Sequence, residues 1–247
     1  MVNKARLKRR RRYTCDRGTS IAPTCVWKEF RLPSMWSQAT INQGIIVIPG
    51  RLVALRPVES SDLRLLQRIA NDVQIQGAVV GWDFPVAEHS QEAWLNASQS
   101  NPRVRRLMVQ RIDTGDPVGL TGLWDLDWHN RSALTATKLD PDHLGRGMGS
   151  DAIMVTMAWA FFVVGLRRLH GAILDFNGAS FGAYVDRCGW RVEGRHREAI
   201  FRKGRWCDLY SVAVLKSDFE RHELCAEYVE RVAPVAVDAK VSRSVDQ

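Results

Sequence analysis

Three patterns, taken in order, predict an α/β fold. The first is a run of strands joined by short turns. The second is a glycine-rich loop that opens a long apolar helix. The third is a strand, a shorter helix and a closing hairpin. The chain has 247 residues, 45% hydrophobic and 25% charged, which is ordinary globular composition and enough length to bury a core without staples.

The elements follow from the N-terminal side of the regular region. Residues 1–49 lack sustained periodicity, and the short apolar run Ile45 to Ile48 stops at Pro49-Gly50. Arg51 to Pro57 alternates as a half-buried strand, with Leu52, Ala54 and Arg56 on one face. Ser60 and Ser61 are candidate caps for a helix with Leu63, Leu66, Ile69 and Ala70 on one side. A loop holding Gly81, Trp82, Phe84 and Pro85 precedes a second helix, Gln91 to Ser98. Strands are then expected at Arg106 to Ile112, Val118 to Asp127 and Ala133 to Leu139. The turns Asp113-Thr-Gly-Asp-Pro117 and His129-Asn-Arg-Ser132 make them an antiparallel meander. A helix follows over Ser150 to Val164, ended by Gly165, then a strand over Leu169 to Leu174 and a helix over Ala179 to Cys188. Trp190 to Ile200 and Trp206 to Leu215 form a hairpin around Lys203-Gly204. Beyond Glu220, Leu224, Tyr228 and Val232 are in register for one short helix, and the end from Ala233 reads as frayed. The division is an extension over 1–49, a domain over 50–220 and a short helix with tail over 221–247.

Nearly all of the net charge of +8 sits in residues 1–17, where eight Lys or Arg stand against Asp16. A run of five cations repels itself and does not pack, so this reads as a disordered leader or an upstream start, with contact to nucleic acid open only through that tail. No apolar run reaches the roughly 18 residues of a membrane span, and no secretory signal follows the basic segment. The five cysteines are odd in number and widely spaced, with no C-x-x-C and no zinc-finger spacing. Free thiols in a reducing cytoplasm, and no metal, are the expectation.

The chemistry centres on Leu139-Asp-Pro-Asp-His-Leu-Gly-Arg-Gly-Met-Gly-Ser-Asp-Ala152. Three glycines at alternate positions join a strand to a helix, so successive backbone N–H groups can point at an anion, reinforced by the positive helix end. The loop is not a Walker loop, since no Gly-Lys-Ser/Thr follows, and not the dinucleotide fingerprint, since a meander precedes it. Asn177 then sits at a strand end, and Ser180 and Tyr184, four apart, share a helix face.

The order of elements and these residues together resemble the GNAT superfamily of acyl-CoA N-acyltransferases. Leu144-Gly-Arg-Gly-Met-Gly149 matches its cofactor motif R/Q-x-x-G-x-G/A except at the first position. Asn177, Ser180 and Tyr184 match the later N-x-x-S-x-x-x-Y segment, and Cys188-Gly-Trp190 follows. Glu193 to Trp206 looks like the last hairpin of the ribosomal-protein and polyamine N-acetyltransferase branch. The resemblance spans about residues 51–220. It implies a mixed, mostly antiparallel, bent sheet with helices on both faces. Acetyl-CoA would lie where the Ala133–Leu139 and Leu169–Asp175 strands splay apart. Its pantetheine would pair with backbone groups of Lys138 and Leu139, and its diphosphate would sit on Leu144, Gly145, Arg146, Gly147, Met148, Gly149 and Ser150, with Asn177 and Ser180 beside it. A primary amine (protein N-terminus, polyamine or small molecule) would attack directly, and Tyr184 would protonate the departing thiolate.

Two departures stand out. Leu144 replaces the cation or glutamine that heads the family's loop. Leu134 stands where relatives carry a glutamate that accepts the amine proton. Asp127 is the first substitute for that base, with Asp125 and His129 beside it. Trp82, Phe84, Trp94, Trp124, Trp128 and Trp206 are candidates to wall the acceptor pocket; Trp82, Phe84 and Trp128 are the preferred three. The alternatives are a non-catalytic acyl-CoA sensor and a nucleic-acid-associated module acting through the basic tail.

Overall fold

The computed structural model describes residues 47–81 and 85–232. The basic leader, Trp82, Phe84 and the C-terminal tail therefore lie outside the described residues. Strands β1 (Ile48–Pro49), β2 (Val53–Pro57), β3 (Arg105–Arg111), β4 (Pro117–Asp127), β5 (Ser132–Thr135), β6 (Lys138–Leu139), β7 (Arg168–Leu174), β8 (Arg191–Arg202) and β9 (Arg205–Leu215) form one mixed sheet. Its order is β1-β2-β3-β4-β5-β7-β9-β8, with β6 continuing on β4. Every pairing is antiparallel except β5 with β7. Ile48 and Pro49, expected in the extension, pair with Leu55 and Ala54, so the sheet begins before residue 50.

Helices cover both faces, and neighbouring residues of β3 show it. Val109 packs into the larger core with α4 (Met148–Ala158), while Met108 packs into the smaller one with α1 (Leu63–Asn71) and α3 (Glu88–Ser100). Period-2 alternation sends the two side chains to opposite sides. The expected caps Ser60 and Ser61 lie instead in a 3-10 turn, Ser60–Asp62, whose Asp62 accepts from Glu59 N at 2.8 Å and pairs with Arg56. A further short helix, α2 (Val73–Ala78), starts where the Asp72 carboxylate accepts from Gln74 N and Ile75 N.

Two helices of the second half change pitch. Past Ala158, residues Trp159–Val163 continue as a π-helix, with Val164 N bonded to Trp159 O. After α5 (Gly178–Phe181), residues Gly182–Arg187 do the same. Such turns often mark functional sites; the second carries Tyr184. The β8–β9 hairpin turns at Lys203 (φ 51°) and Gly204 (φ 76°), two positive angles in the two-residue turn that matches strand twist.

Asp151, on the first turns of α4, is a buried knot. It accepts from the backbone N–H groups of Arg51, Leu52 and Val53 at 2.7–3.1 Å and from the Tyr228 hydroxyl. Tyr228 belongs to a last helix, α6 (Lys216–Phe219) having intervened; residues 225–232 form this α7. Cys225, Tyr228 and Val232 join the main core, so the C-terminal helix is integral to it.

Candidate active site

The site begins where β5 leaves β7. Their pairing ends at Leu134 with His170, and β7 goes on with β9 alone. The expected continuous strand Ala133 to Leu139 is broken at Ala136-Thr137, and β6 resumes on β4. Asp140 N donates to Val118 O, so the register makes Asp140–Val118 and Lys138–Leu120 the hydrogen-bonded pairs. The peptide groups of Thr137 and Leu139 therefore point into the splay. Lys138 turns its backbone to β4 instead, and it is Thr137 that joins Leu139 on the cleft edge.

Tyr184 closes that cleft. Its hydroxyl accepts from Thr137 N at 2.9 Å, and its ring meets Trp190 edge-on at 4.9 Å. Burial pushes its pKa up to about 12. Burial pushes the neighbouring Cys188 thiol up to about 12 as well.

The glycine loop lies between a 3-10 turn, Pro141–His143, and α4, which starts at Met148, two residues before the predicted Ser150. Gly147 is the N-cap with φ 79°, a left-handed angle costly for any side chain. Leu144 N is engaged by Pro141 O. Among the described residues, no acceptor pairs with the N–H groups of Gly145 through Ser150. These are the donors an anion would take at a helix start. The Ser150 hydroxyl is held by Arg187 Nε at 2.9 Å. His143 abuts the loop, and its Nδ1 is buried with no partner among the described residues.

A cavity of about 370 Å³ runs from the splay onto the face that carries α1 to α3. Thr135 to Thr137, Gly171 to Ile173, Asn177, Ser180 and Tyr184 line its end at the splay, and Trp94, Arg106, Trp124, Asp125 and Lys138 its far end. Asn177 caps α5 by accepting from Ser180 N at 3.0 Å and donates to Ala78 O at 2.9 Å, which fixes the cavity's rim.

The structure does not bring Asp127 to this cavity. Its carboxylate accepts from Asn130 N at 2.8 Å and Asn130 Nδ2 at 2.7 Å, which closes the turn and lowers its pKa. Trp128 and Trp206 are exposed and also lie elsewhere; Trp206 pairs with Phe201 on the hairpin. Asp125 takes the expected place of Asp127. A bulge between Trp124 and Asp127, with φ 47° at Asp125, resets the alternation and delivers its side chain to the lining. Leu134, the position of the family's glutamate, also lines the cavity. Sequence reasoning missed Arg106 and Thr137. Nothing local marks them, because a cation in a strand and a threonine at its break acquire meaning only when four strands are assembled.

A parallel pair that splays beside a glycine-capped helix start, with a buried tyrosine at the fork, defines a transferase that draws on an acyl-CoA. A model of the acetyltransferase (GNAT) domain matches residues 52–191, more than half of the chain, and the chain belongs to that family of N-acetyltransferases, whose members take the acetyl group from acetyl-CoA. The chain is similar to the spermidine N(1)-acetyltransferase of Vibrio cholerae serotype O1, 23% identical over 167 residues, covering 68% of this chain and 95% of that protein. It is also 23% identical over 176 residues to the spermidine N(1)-acetyltransferase of Escherichia coli K12, covering 71% of this chain and 90% of that one. A crystal structure of the Vibrio cholerae spermidine N-acetyltransferase in complex with CoA and spermine superposes with a TM-score of 0.63 at 24% identity, over 68% of this chain and 97% of that chain.

Proposed function

We propose that acetyl-CoA lies between β6 and β7, its diphosphate on the N–H groups of Gly145 to Ser150 and its pantetheine along Thr137 and Leu139. The observation that carries this reading is that β6 runs from the break held by the buried Tyr184 hydroxyl toward unpaired loop amides at the start of α4. The acceptor amine attacks the thioester carbonyl from the α1–α3 side with no covalent enzyme intermediate. The C–N bond forms, the C–S bond breaks, and Tyr184 gives its proton to the leaving sulfur. The Leu139 N–H faces the carbonyl oxygen where negative charge develops. Among the described residues of the lining, Asp125 is the carboxylate able to take the amine proton through water.

The acceptor is a primary amine, and the relatives that act on spermidine put a polyamine first in the panel to be tried. The test is release of free CoA with spermidine, peptide N-termini and small amines. A sensor would bind acetyl-CoA and release none with any of them. We place the protein in a reducing cytoplasm, supported by the free, buried thiols of Cys188, Cys207 and Cys225. Among the described residues no helix is long and apolar enough to cross a membrane.

The cradle is tested separately. Gly147→Val puts a β-branched residue at φ 79° and a new Cβ 3.4 Å from Leu52 Cδ1. The left-handed angle disfavours any L residue by about 1–2 kcal/mol, so the loop is expected to reorient and turn its amides away. Acetyl-CoA affinity should fall at least about tenfold by calorimetry, with the melting temperature lowered only modestly. Unchanged affinity would remove the loop as the diphosphate site.

A further inference from the structure

The far end of the cavity is built from cations and aromatic faces. Arg106 on β3 lies over two rings, 4.7 Å from the centre of Trp94 and 5.1 Å from that of Trp124. Lys138 Nζ lies 5.3 Å from the centre of Trp124. The register explains their meeting: Arg106 is opposite Gly122 and Lys138 opposite Leu120, on one face of the sheet, so the two side chains flank a position with no side chain. Gly122 is required there, since a Cβ would stand 2.1 Å from Arg105 O.

The Arg106 Nε donates to Ser98 Oγ at 2.9 Å, and among the described residues no carboxylate forms an ion pair with it. A half-buried guanidinium with no carboxylate partner among the described residues is held at a cost in solvation. Burial pulls its pKa down to about 10, and burial with the Arg106 charge pulls Lys138 down to about 8. The planar fork of an arginine fits an oxyanion with two parallel hydrogen bonds.

We infer that the acceptor carries an oxyanion, a carboxylate or a phosphate, alongside its amine, and that Arg106 grips this group between Trp94 and Trp124 with Lys138 as a second cation. This rests on the cavity being the acceptor site of acetyl transfer. Asp125, in the same lining, suits the opposite end of such a molecule, the ammonium that must lose its proton before attack. A polyamine brings several positive charges toward two cations and offers the Arg106 fork no acceptor.

Two readouts test it. The first is CoA release with amines of matched reach: 5-aminopentanoate, 3-aminopropyl phosphate, cadaverine and spermidine. The oxyanion-bearing amines are expected to exceed cadaverine in kcat/KM by at least about tenfold, the two separating carboxylate from phosphate. Arg106→Leu should erase the preference by raising KM with kcat held, Arg106→Lys should keep part of it, and Lys138→Met should weaken it less. The second is calorimetry of glutarate, which has no amine, titrated into protein saturated with CoA, whose binding also reports that each variant is folded. Glutarate binding that disappears in Arg106→Leu supports the oxyanion site even if no amine releases CoA, an outcome that would count against transfer alone. Spermidine or cadaverine as the best acceptor, or glutarate that does not bind the wild-type protein, overturns the proposal.

Discussion

Replacing Tyr184 with phenylalanine is expected to lower kcat by about 100-fold, the usual worth of a positioned general acid, while acetyl-CoA affinity stays within a few-fold. A hydroxyl with a pKa near 12 is a weak acid, and an exposed thiolate of ordinary basicity, near 8.5, would not draw its proton. Desolvation acts on a thiolate leaving into an enclosed cleft in the same direction as it acts on Tyr184, which narrows the gap between proton donor and acceptor. The sign of the pH dependence follows. A raised pKa keeps the donor protonated through neutral pH, so Tyr184 contributes no falling limb to kcat below about pH 11. The loss in Tyr184→Phe should be uniform from pH 6 to 9. The variant also strips Thr137 N of its acceptor, an unpaired donor worth about 1–3 kcal/mol, so a lower melting temperature is expected beside the kinetic loss. A melting point that falls while kcat holds would make Tyr184 a support for the β5–β6 break and not the acid.

The readable and unreadable parts of this site differ in how local their causes are. The glycine loop, the Asn177–Ser180–Tyr184 spacing and the Lys203-Gly204 turn are set by constraints within a few residues, and each lies where the pattern predicts. The break at Ala136-Thr137 is invisible in the sequence, because no Gly, Pro or other turn signal lies within Ala133 to Leu139 and only the departure of β7 ends the ladder. The exchange of Asp127 for Asp125 has the same origin. Two residues apart on a regular strand share a face, and it takes a bulge, fixed by the partner strand, to put one in the cavity and the other on the turn. The pitch changes after Ala158 and Phe181 also escaped, since a periodicity that fits 3.6 residues per turn over 15 residues does not register one wider turn. Fold class survives such errors because it depends on element order, whereas a site depends on single side-chain directions.

Asp151→Ala is expected to cost at least about 3 kcal/mol, the scale on which removing one partner from a buried charge network is felt. Three backbone donors, from Arg51, Leu52 and Val53, and the Tyr228 hydroxyl converge on this carboxylate, and it is 4% exposed. Removal strands all four donors where little water reaches them, and it leaves a space beside Gly50, whose missing Cβ would otherwise stand 2.7 Å from Asp151 Oδ2. At about 2–4 °C per kcal/mol for a chain of this size, the melting temperature should fall by roughly 6–12 °C. Asp151→Asn keeps the shape but turns an amide N–H₂ toward donors, so it should recover little. Tyr228→Phe removes one hydrogen bond of the set and should cost about 1–3 kcal/mol. Chemical denaturation gives the ordering, and an Asp151→Ala protein within 1 kcal/mol of wild type by that measure would refute the knot. The consequence reaches the cofactor end, because Asp151 is one turn beyond the Gly147 cap and its hold on β2 and α7 sets the direction in which α4 presents its first amides. Asp151→Ala should therefore weaken acetyl-CoA binding even in the fraction that stays folded, whereas Tyr228→Phe, which leaves the bonds from Arg51, Leu52 and Val53 in place, should bind it as the wild type does.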